Sequence, residues 1–226
     1  MGLFRKKKLI LFGTGLFGQL ARYYIDHYST QYVVSVVTES PISPDIFNKM
    51  RGVQFCDFDI IQNIYPPHKY DMFVAVGYRE MNSIRKEMYY KALDKGYYLP
   101  SFSFMHTSLY SNVGLGNNCF IFEDNTIQPF VDIGHNVILW SGNHIGHHSK
   151  IGDHNFISSH VVISGNVTVG ESCFFGVNST IIDGINIGDR CLIGARSLIT
   201  RNAYSDSVYI TRGTKPDVRT SAEMNF

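Results

Sequence analysis

Ile133-Gly134-His135-Asn136-Val137-Ile138-Leu139-Trp140-Ser141-Gly142-Asn143-His144-Ile145-Gly146-His147-His148-Ser149-Lys150-Ile151 carries a large aliphatic residue at every sixth position. Stepping outward by six, the column runs from Leu109 through Leu115, Ile121 and Ile127 to this stretch. It continues through Ile157, Ile163, Val169, Phe175, Ile181, Ile187 and Ile193 to Ile199, without a slip. Four residues after each anchor stands a second, compact column: Val113, Cys119, Asn125, Val131, Val137, Asn143, Ser149, Asn155, Val161, Val167, Cys173, Ser179, Cys191 and Ser197, with only Ile185 bulky. Glycine often follows the anchor directly, as at Gly134, Gly146, Gly152, Gly170, Gly176, Gly188 and Gly194. A turn with an unusual backbone angle is expected there, because glycine adopts such angles without steric cost.

A period of six matches neither the helical period of 3.6 nor the strand period of two. It fits a triangular solenoid, in which each hexad supplies one short strand and a corner and three hexads close a coil. The expected architecture is a left-handed parallel β-helix of about five coils, roughly 25 Å tall at the usual strand spacing. Residues 18 apart should stack. Cys119, Cys173 and Cys191 fall in the compact column and read as core fillers, not as redox or metal residues.

The preceding hundred residues have another pattern. Lys8 to Gly13 reads as a buried strand, Gly13-Thr14-Gly15-Leu16-Phe17-Gly18 matches GxGxxG, and Gln19 to Tyr28 reads as a helix. Tyr32 to Thr38 and Tyr70 to Val76 are further strands, Ser83 to Lys95 a helix stopped at Gly96, and Tyr97 to Phe104 an extended segment. This order implies a small α/β parallel sheet of Rossmann type. The glycine motif lets backbone N–H groups at a helix N-terminus approach a phosphate. Glu39 stands where an acid would meet a ribose. The unit is too short for a complete dinucleotide fold, so a nucleotide-linked sugar is the expected ligand. The expected domains are 1–105 (Rossmann-like, nucleotide-sugar-binding), 106–203 (β-helix) and 204–226 (C-terminal tail).

Bulk properties narrow the class. The chain has 226 residues, 44% hydrophobic and 17% charged, with a formal net charge of +1. No global field draws it to nucleic acid or a membrane. The basic run Arg5-Lys6-Lys7-Lys8 precedes an apolar stretch that stops at Gly13, too short for a signal peptide. Lys6 breaks the myristoylation pattern begun by Gly2. No stretch is long and apolar enough for a membrane span, and the four cysteines show no zinc or disulfide spacing. A cytoplasmic protein is expected.

A Rossmann-like half followed by a left-handed β-helix resembles the bacterial hexapeptide-repeat sugar acyltransferases, in particular the nucleotide-aminosugar N-acetyltransferases grouped with the sialic acid O-acetyltransferases. The resemblance is carried by His147-His148-Ser149-Lys150-Ile151-Gly152-Asp153, Ser164-Gly165-Asn166-Val167 and Phe175-Gly176-Val177-Asn178-Ser179. It implies acetyl-CoA as acyl donor, a nucleotide-linked amino sugar as acceptor, a homotrimer with the active groove between adjacent prisms, and no metal. His147 takes the position of the general base, with His144 and His148 as the other candidates. Gly165, Asn166, Gly176, Val177, Asn178 and Ala195 are the implied cofactor contacts. Gly13, Gly15, Leu16, Phe17, Gly77, Tyr78, Asn82 and Arg85 are the implied substrate contacts. Two departures stand out. His148 occupies the place where an acid usually follows the base, leaving Glu123, Asp124 and Asp153 as candidate carboxylates. Thr211-Arg212-Gly213-Thr214-Lys215-Pro216 replaces the usual Gly-x-Pro-Ala loop. Trp140 reads as an exposed corner aromatic at a chain interface or ligand groove.

Three other functions fit the same pattern. A sibling enzyme would acetylate a sugar hydroxyl. A carbonic-anhydrase-like lyase would use the histidines as zinc ligands at a subunit interface. A non-catalytic trimer would only bind nucleotide sugar.

Overall fold

The computed structural model describes residues 8–31, 33–39 and 43–224. Gly2, Arg5, Lys6, Lys7 and Tyr32, which enter the reading above, lie outside these. The N-terminal unit is a four-stranded parallel sheet of β1 (Lys8–Phe12), β2 (Val33–Thr38), β3 (Gln54–Asp57) and β4 (Tyr70–Val74), in the order β3-β2-β1-β4. Helices α1 (Leu16–Tyr28), α2 (Pro44–Lys49), α3 (Ile61–Ile64) and α4 (Ser83–Asp94) connect the strands. Both sheet faces are covered, which is why Leu9 to Phe12 reads as an unbroken apolar run. Leu9 and Leu11 pack with Ala21 and Ile25 of α1, while Ile10 and Phe12 pack with Met88 and Ala92 of α4. Helix α1 begins at Leu16 rather than Gln19, with extended Gly15 as its N-cap. The segment α2-β3-α3 was not anticipated, although Ser43-Pro44 is a helix-start signal; the Ser43 hydroxyl accepts from the Ile46 N–H.

The β-helix is a triangular prism of three parallel sheets with seven, six and five strands. Each anchor from Leu109 to Ile199 is the second residue of a two-residue strand, and partners are 18 apart, as in Ile133 with Ile151. The prism starts earlier than expected. β5 (Phe102–Ser103) pairs with Phe120–Ile121, so the segment ending at Phe104 opens the prism instead of completing the N-terminal sheet. Ser103 is one hexad before Leu109, in register with the anchors. Phe102, Phe120, Ile138, Phe156, Phe174 and Leu192 stand outward on the first face, which docks against the N-terminal unit. Ser108, Thr126, His144, Val162, Thr180 and Leu198 stand on the second, open face. Gly114, Asp132, Lys150, Thr168 and Asn186 form the third, polar face.

The glycines after the anchors have a different cause from the expected one. None of them has a positive φ. Instead, the left-handed residue lies three past the anchor, without exception from Asn118 to Arg196. The glycines are required by close approach between coils: a Cβ on Gly152 would lie 2.6 Å from the Gly170 carbonyl oxygen, and one on Gly176 would lie 2.4 Å from the Ala195 nitrogen. Gly152→Ala is therefore expected to destabilise the prism by about 1–3 kcal/mol, the usual cost of overpacking, measured as a fall in urea midpoint. An unchanged midpoint would mean that the coils yield freely. The compact column is buried from Cys119 to Ser197, and its asparagines serve the next coil. Asn125 Oδ1 accepts the Asn143 N–H at 3.1 Å, Asn143 Oδ1 that of Val161 at 2.8 Å, and Asn155 Oδ1 that of Cys173 at 2.7 Å.

The two units share an aromatic core of Phe73, Phe102, Phe104, Phe120, Phe122 and Phe156. A buried polar ladder runs beside it. Asn118 Oδ1 accepts the Val74 N–H at 2.8 Å, Asn118 Nδ2 donates to Asn136 Oδ1 at 2.8 Å, and Asn136 Nδ2 donates to His154 Nδ1 at 2.9 Å. His154 is fully buried, and burial, reinforced by the charge of Lys86, pushes its pKa down to about 4. The native state keeps this imidazole neutral while the unfolded chain protonates it near pH 6.5. Its contribution is complete above that pH and is lost as pH falls toward 4, about 3 kcal/mol in all. His154→Asn, which suits the left-handed backbone and continues the Asn118-Asn136 pattern, should flatten this part of the stability-pH curve between pH 6.5 and 4. Identical curves for the two proteins would exclude His154 as the titrating group.

Candidate active site

A cavity of about 890 Å³ opens at the C-terminal ends of β1, β2 and β4, between the glycine loop and the docked face of the prism. The three motif glycines have separate jobs. Gly13 has φ +123°, and a Cβ there would lie 2.5 Å from the Ala75 carbonyl oxygen, so it allows the loop to cross β4 closely. A Cβ on Gly18 would lie 2.3 Å from the Gly13 carbonyl oxygen, so Gly18 lets α1 pack under the loop. Gly15 has nothing within 4 Å of where a Cβ would sit, which leaves its backbone open to the cavity at the helix N-terminus. Among the implied substrate contacts, Gly13, Gly15, Leu16, Phe17, Gly77 and Tyr78 all line this cavity.

Asn82 and Arg85 do not. Both are fully buried under α4. Asn82 Nδ2 donates to the Cys173 carbonyl at 3.0 Å. The Arg85 guanidinium donates to the carbonyls of Gly77, Asn136, His154 and Asn155 and to Asn82 Oδ1, with Phe156 5.9 Å beneath it. These two residues bolt the units together, and burial leaves them no surface for a ligand. The wall instead includes Thr38, Arg79, Trp140 and Phe156, which the sequence reading did not assign to substrate. Trp140 is half-buried rather than exposed, stacked on Phe122 at 4.7 Å with its Nε1 unpartnered. Tyr78 packs on Phe156 and Phe174 at 4.8 and 4.9 Å. The outward residue of every third hexad is the signal that finds Phe156: that column alone is aromatic and aliphatic. Glu39 lines the same cavity and is paired with Lys91 at 3.1 Å.

His147 is elsewhere on the prism. It is exposed, two residues past its anchor, on the edge between the open and polar faces. Its backbone N–H donates to Gln128 Oε1 at 2.8 Å. Its ring leans over Gly165: a Cβ on Gly165 would lie 2.9 Å from His147 Nε2 and 2.9 Å from Asp183 Oδ1. His147 Nδ1 is 3.1 Å from His148 Nδ1, and His148 is stacked on Phe130 at 4.7 Å. None of the three carboxylates considered from sequence fills the orienting position. Glu123 accepts from Ser141 and Tyr24, Asp124 faces His106, and Asp153 accepts the His135 N–H. Asp183, 18 residues after Gly165 on the same edge, sets its Oδ1 against that glycine. His144 is half-buried on the open face, beside Thr126 and Val162.

The implied cofactor contacts fall on two edges. Gly165 and Asn166 share the edge of His147, and the Asn166 N–H donates to the His147 carbonyl at 2.8 Å. Gly176, Val177, Asn178 and Ala195 lie on the edge between the docked and open faces, beside the cavity face. Within one chain the open face separates the two groups, and His147 does not line the cavity. Among the described residues, no three His, Cys, Asp or Glu side chains converge as a metal site, and no helix is long and apolar enough to cross a membrane.

Residues 133–165 match the family described as bacterial transferase hexapeptide (six repeats), and residues 166–201 match the hexapeptide repeat of succinyl-transferase. Together the two matches cover residues 133–201, the central and upper coils of the prism. No curated protein sequence matches the chain. Solved structures share the whole architecture, N-terminal unit and hexapeptide prism together. PerB from Caulobacter crescentus, in complex with CoA and GDP-perosamine, superposes with a TM-score of 0.77 at 22% identity, over 89% of this chain and 92% of that one. The acetyltransferase domain of PglB from Neisseria gonorrhoeae, in complex with acetyl coenzyme A, gives 0.76 at 19% identity, over 90% and 96%. WeeI from Acinetobacter baumannii gives 0.64 at 14% identity, over 88% and 94%.

Proposed function

We propose that this protein is a cytoplasmic, acetyl-CoA-dependent N-acetyltransferase acting on a nucleotide-linked amino sugar for bacterial surface-glycan synthesis, and that it works as a homotrimer. The observation that carries the reading is the pairing of a glycine-loop cavity with an outward histidine on a hexapeptide prism. The architecture shared with PerB, solved with CoA and GDP-perosamine, and with acetyl-CoA-bound PglB supports it.

In this reading the amine of the sugar attacks the thioester carbonyl of acetyl-CoA. The new C–N bond forms, the C–S bond breaks, the thiolate leaves, and His147 Nε2 takes the proton lost by the amine. Backbone N–H groups near Gly165 face the oxyanion. For Nε2 to be the free base, Nδ1 must carry the ring proton. His148 Nδ1 at 3.1 Å then accepts it, in the place where relatives have an acid. His148→Asn keeps the left-handed corner and removes that acceptor, so kcat should fall by about tenfold, the worth of one hydrogen bond, with KM nearly unchanged. A loss equal to that of removing His147 would make His148 the base.

The separation of the two edges supports the trimer. Packing open faces around a threefold axis brings the His147 edge of one chain to the docked-face edge of the next, so the cavity of one chain and the base of another make one site. Gly176, Val177, Asn178 and Ala195 then face Gly165 and Asn166 across the groove that receives CoA.

The test is thiol release from acetyl-CoA with a panel of nucleotide-linked amino sugars and their hydroxy counterparts. Turnover with one amino sugar supports the reading, turnover with a hydroxy sugar alone makes it an O-acetyltransferase, and no release on either set overturns it. Sedimentation of a monomer at micromolar concentration would overturn the shared site.

A further inference from the structure

Arg79 is the basic residue of the cavity wall, and it belongs to neither the glycine loop nor the prism. It precedes Glu80, Met81 and Asn82, whose φ values are +52°, +50° and +68°. Left-handed backbone is strained for Glu80 and Met81, though Asn82 tolerates it, and three such residues in succession persist only where their surroundings hold them. The holders are on both sides. Asn82 Nδ2 donates to the Cys173 carbonyl at 3.0 Å, and Arg85 Nη1 donates to the Gly77 carbonyl and to Asn82 Oδ1, each at 2.9 Å. A turn clamped in this way has a fixed direction, and it carries Tyr78 onto the prism and Arg79 to the cavity.

Arg79 is exposed and forms no ion pair among the described residues. The other charged residue of the wall, Glu39, is already paired with Lys91. The cavity therefore holds one uncompensated positive charge, together with the open backbone of Gly15 at the N-terminus of α1. A guanidinium presents paired N–H groups that match two phosphate oxygens.

We propose that Arg79 is the residue of this cavity that binds the phosphate chain of the nucleotide, held in place by the left-handed turn Glu80–Asn82. The inference rests on the nucleotide-sugar reading and adds to it the residue that selects the phosphate chain. The test is calorimetric titration of the full chain with uridine, UMP and UDP and with guanosine, GMP and GDP, for wild type, Arg79→Gln and Arg79→Lys. Wild type is expected to bind one diphosphate more tightly than its monophosphate. Arg79→Gln should lose about tenfold or more of the diphosphate affinity, as for a charge-assisted contact, with nucleoside affinity unchanged. Arg79→Lys should fall between, and the salt dependence of diphosphate binding should flatten in Arg79→Gln. Equal losses for nucleoside and diphosphate, or no loss, would overturn the assignment of Arg79 while leaving the nucleotide reading intact. A wild-type protein that binds none of the six ligands would remove the nucleotide reading itself.

Discussion

His147→Ala is expected to lower kcat for acetyl transfer by about 10²–10⁴-fold, the range for loss of a positioned general base. The ring stands exposed on the prism edge, so its removal opens no cavity in the core and thermal stability should hold. Rate and stability thus separate, which a structural role would not allow. His147 shares its edge with Gly165, Asn166 and Asp183, and its Nε2 faces Gly165. His144→Ala and His148→Ala should cost far less. The composite site adds a sharper measurement. Chains carrying His147→Ala and chains carrying a disabled nucleotide cavity, each inactive alone, should regain activity when refolded together. Activity that never returns on mixing would put base and cavity in the same chain and contradict the threefold arrangement.

Arg85→Met should destabilise the protein by about 3–5 kcal/mol, through the loss of several hydrogen bonds to buried oxygens, read from the urea midpoint. All five guanidinium N–H groups are used, and every partner is a carbonyl or amide oxygen. Burial pushes the pKa down to about 9, still above neutral pH, so the side chain stays charged. Methionine fills the volume but leaves the buried acceptors that have no second donor unsatisfied, such as the His154 carbonyl, at about 1–3 kcal/mol each before relaxation. Against a total stability of about 5–15 kcal/mol, that is a large fraction. Arg85→Lys should recover only part, because three donors from one nitrogen do not span the same oxygens. One partner, the Gly77 carbonyl, belongs to the cavity rim, so nucleotide binding should weaken in both variants. A variant as stable as wild type would show that the two units dock through their aromatic core alone.

Asn82 and Arg85 show why part of the site was not legible. In the linear chain they stand close to Gly77 and Tyr78, and a polar residue near a ligand segment reads as a ligand contact. Their side chains turn the other way, into the prism, because α4 leaves the turn with its inner face on the docked edge. The places of Asp183 and Arg79 were hidden for another reason: Asp183 meets Gly165 only through the stacking of coils, and Arg79 reaches the cavity through a turn with left-handed backbone at Glu80, Met81 and Asn82.

The sequence by itself determined the prism, its period, its stacking at 18 residues and its apolar filling, because a solenoid repeats one local interaction and each hexad reports it again. It also determined the glycine loop and three of the four strands behind it, β1, β2 and β4, but not the edge strand β3. Only the tertiary structure decided that the anchor glycines answer to close coil contact while the left-handed corner lies two residues later. It alone decided which prism face the N-terminal unit covers, and that His147 and the cavity lie on different edges of one chain. Those facts depend on where two separate bodies meet, and burial of an aromatic face against a sheet is a long-range choice that no local period records.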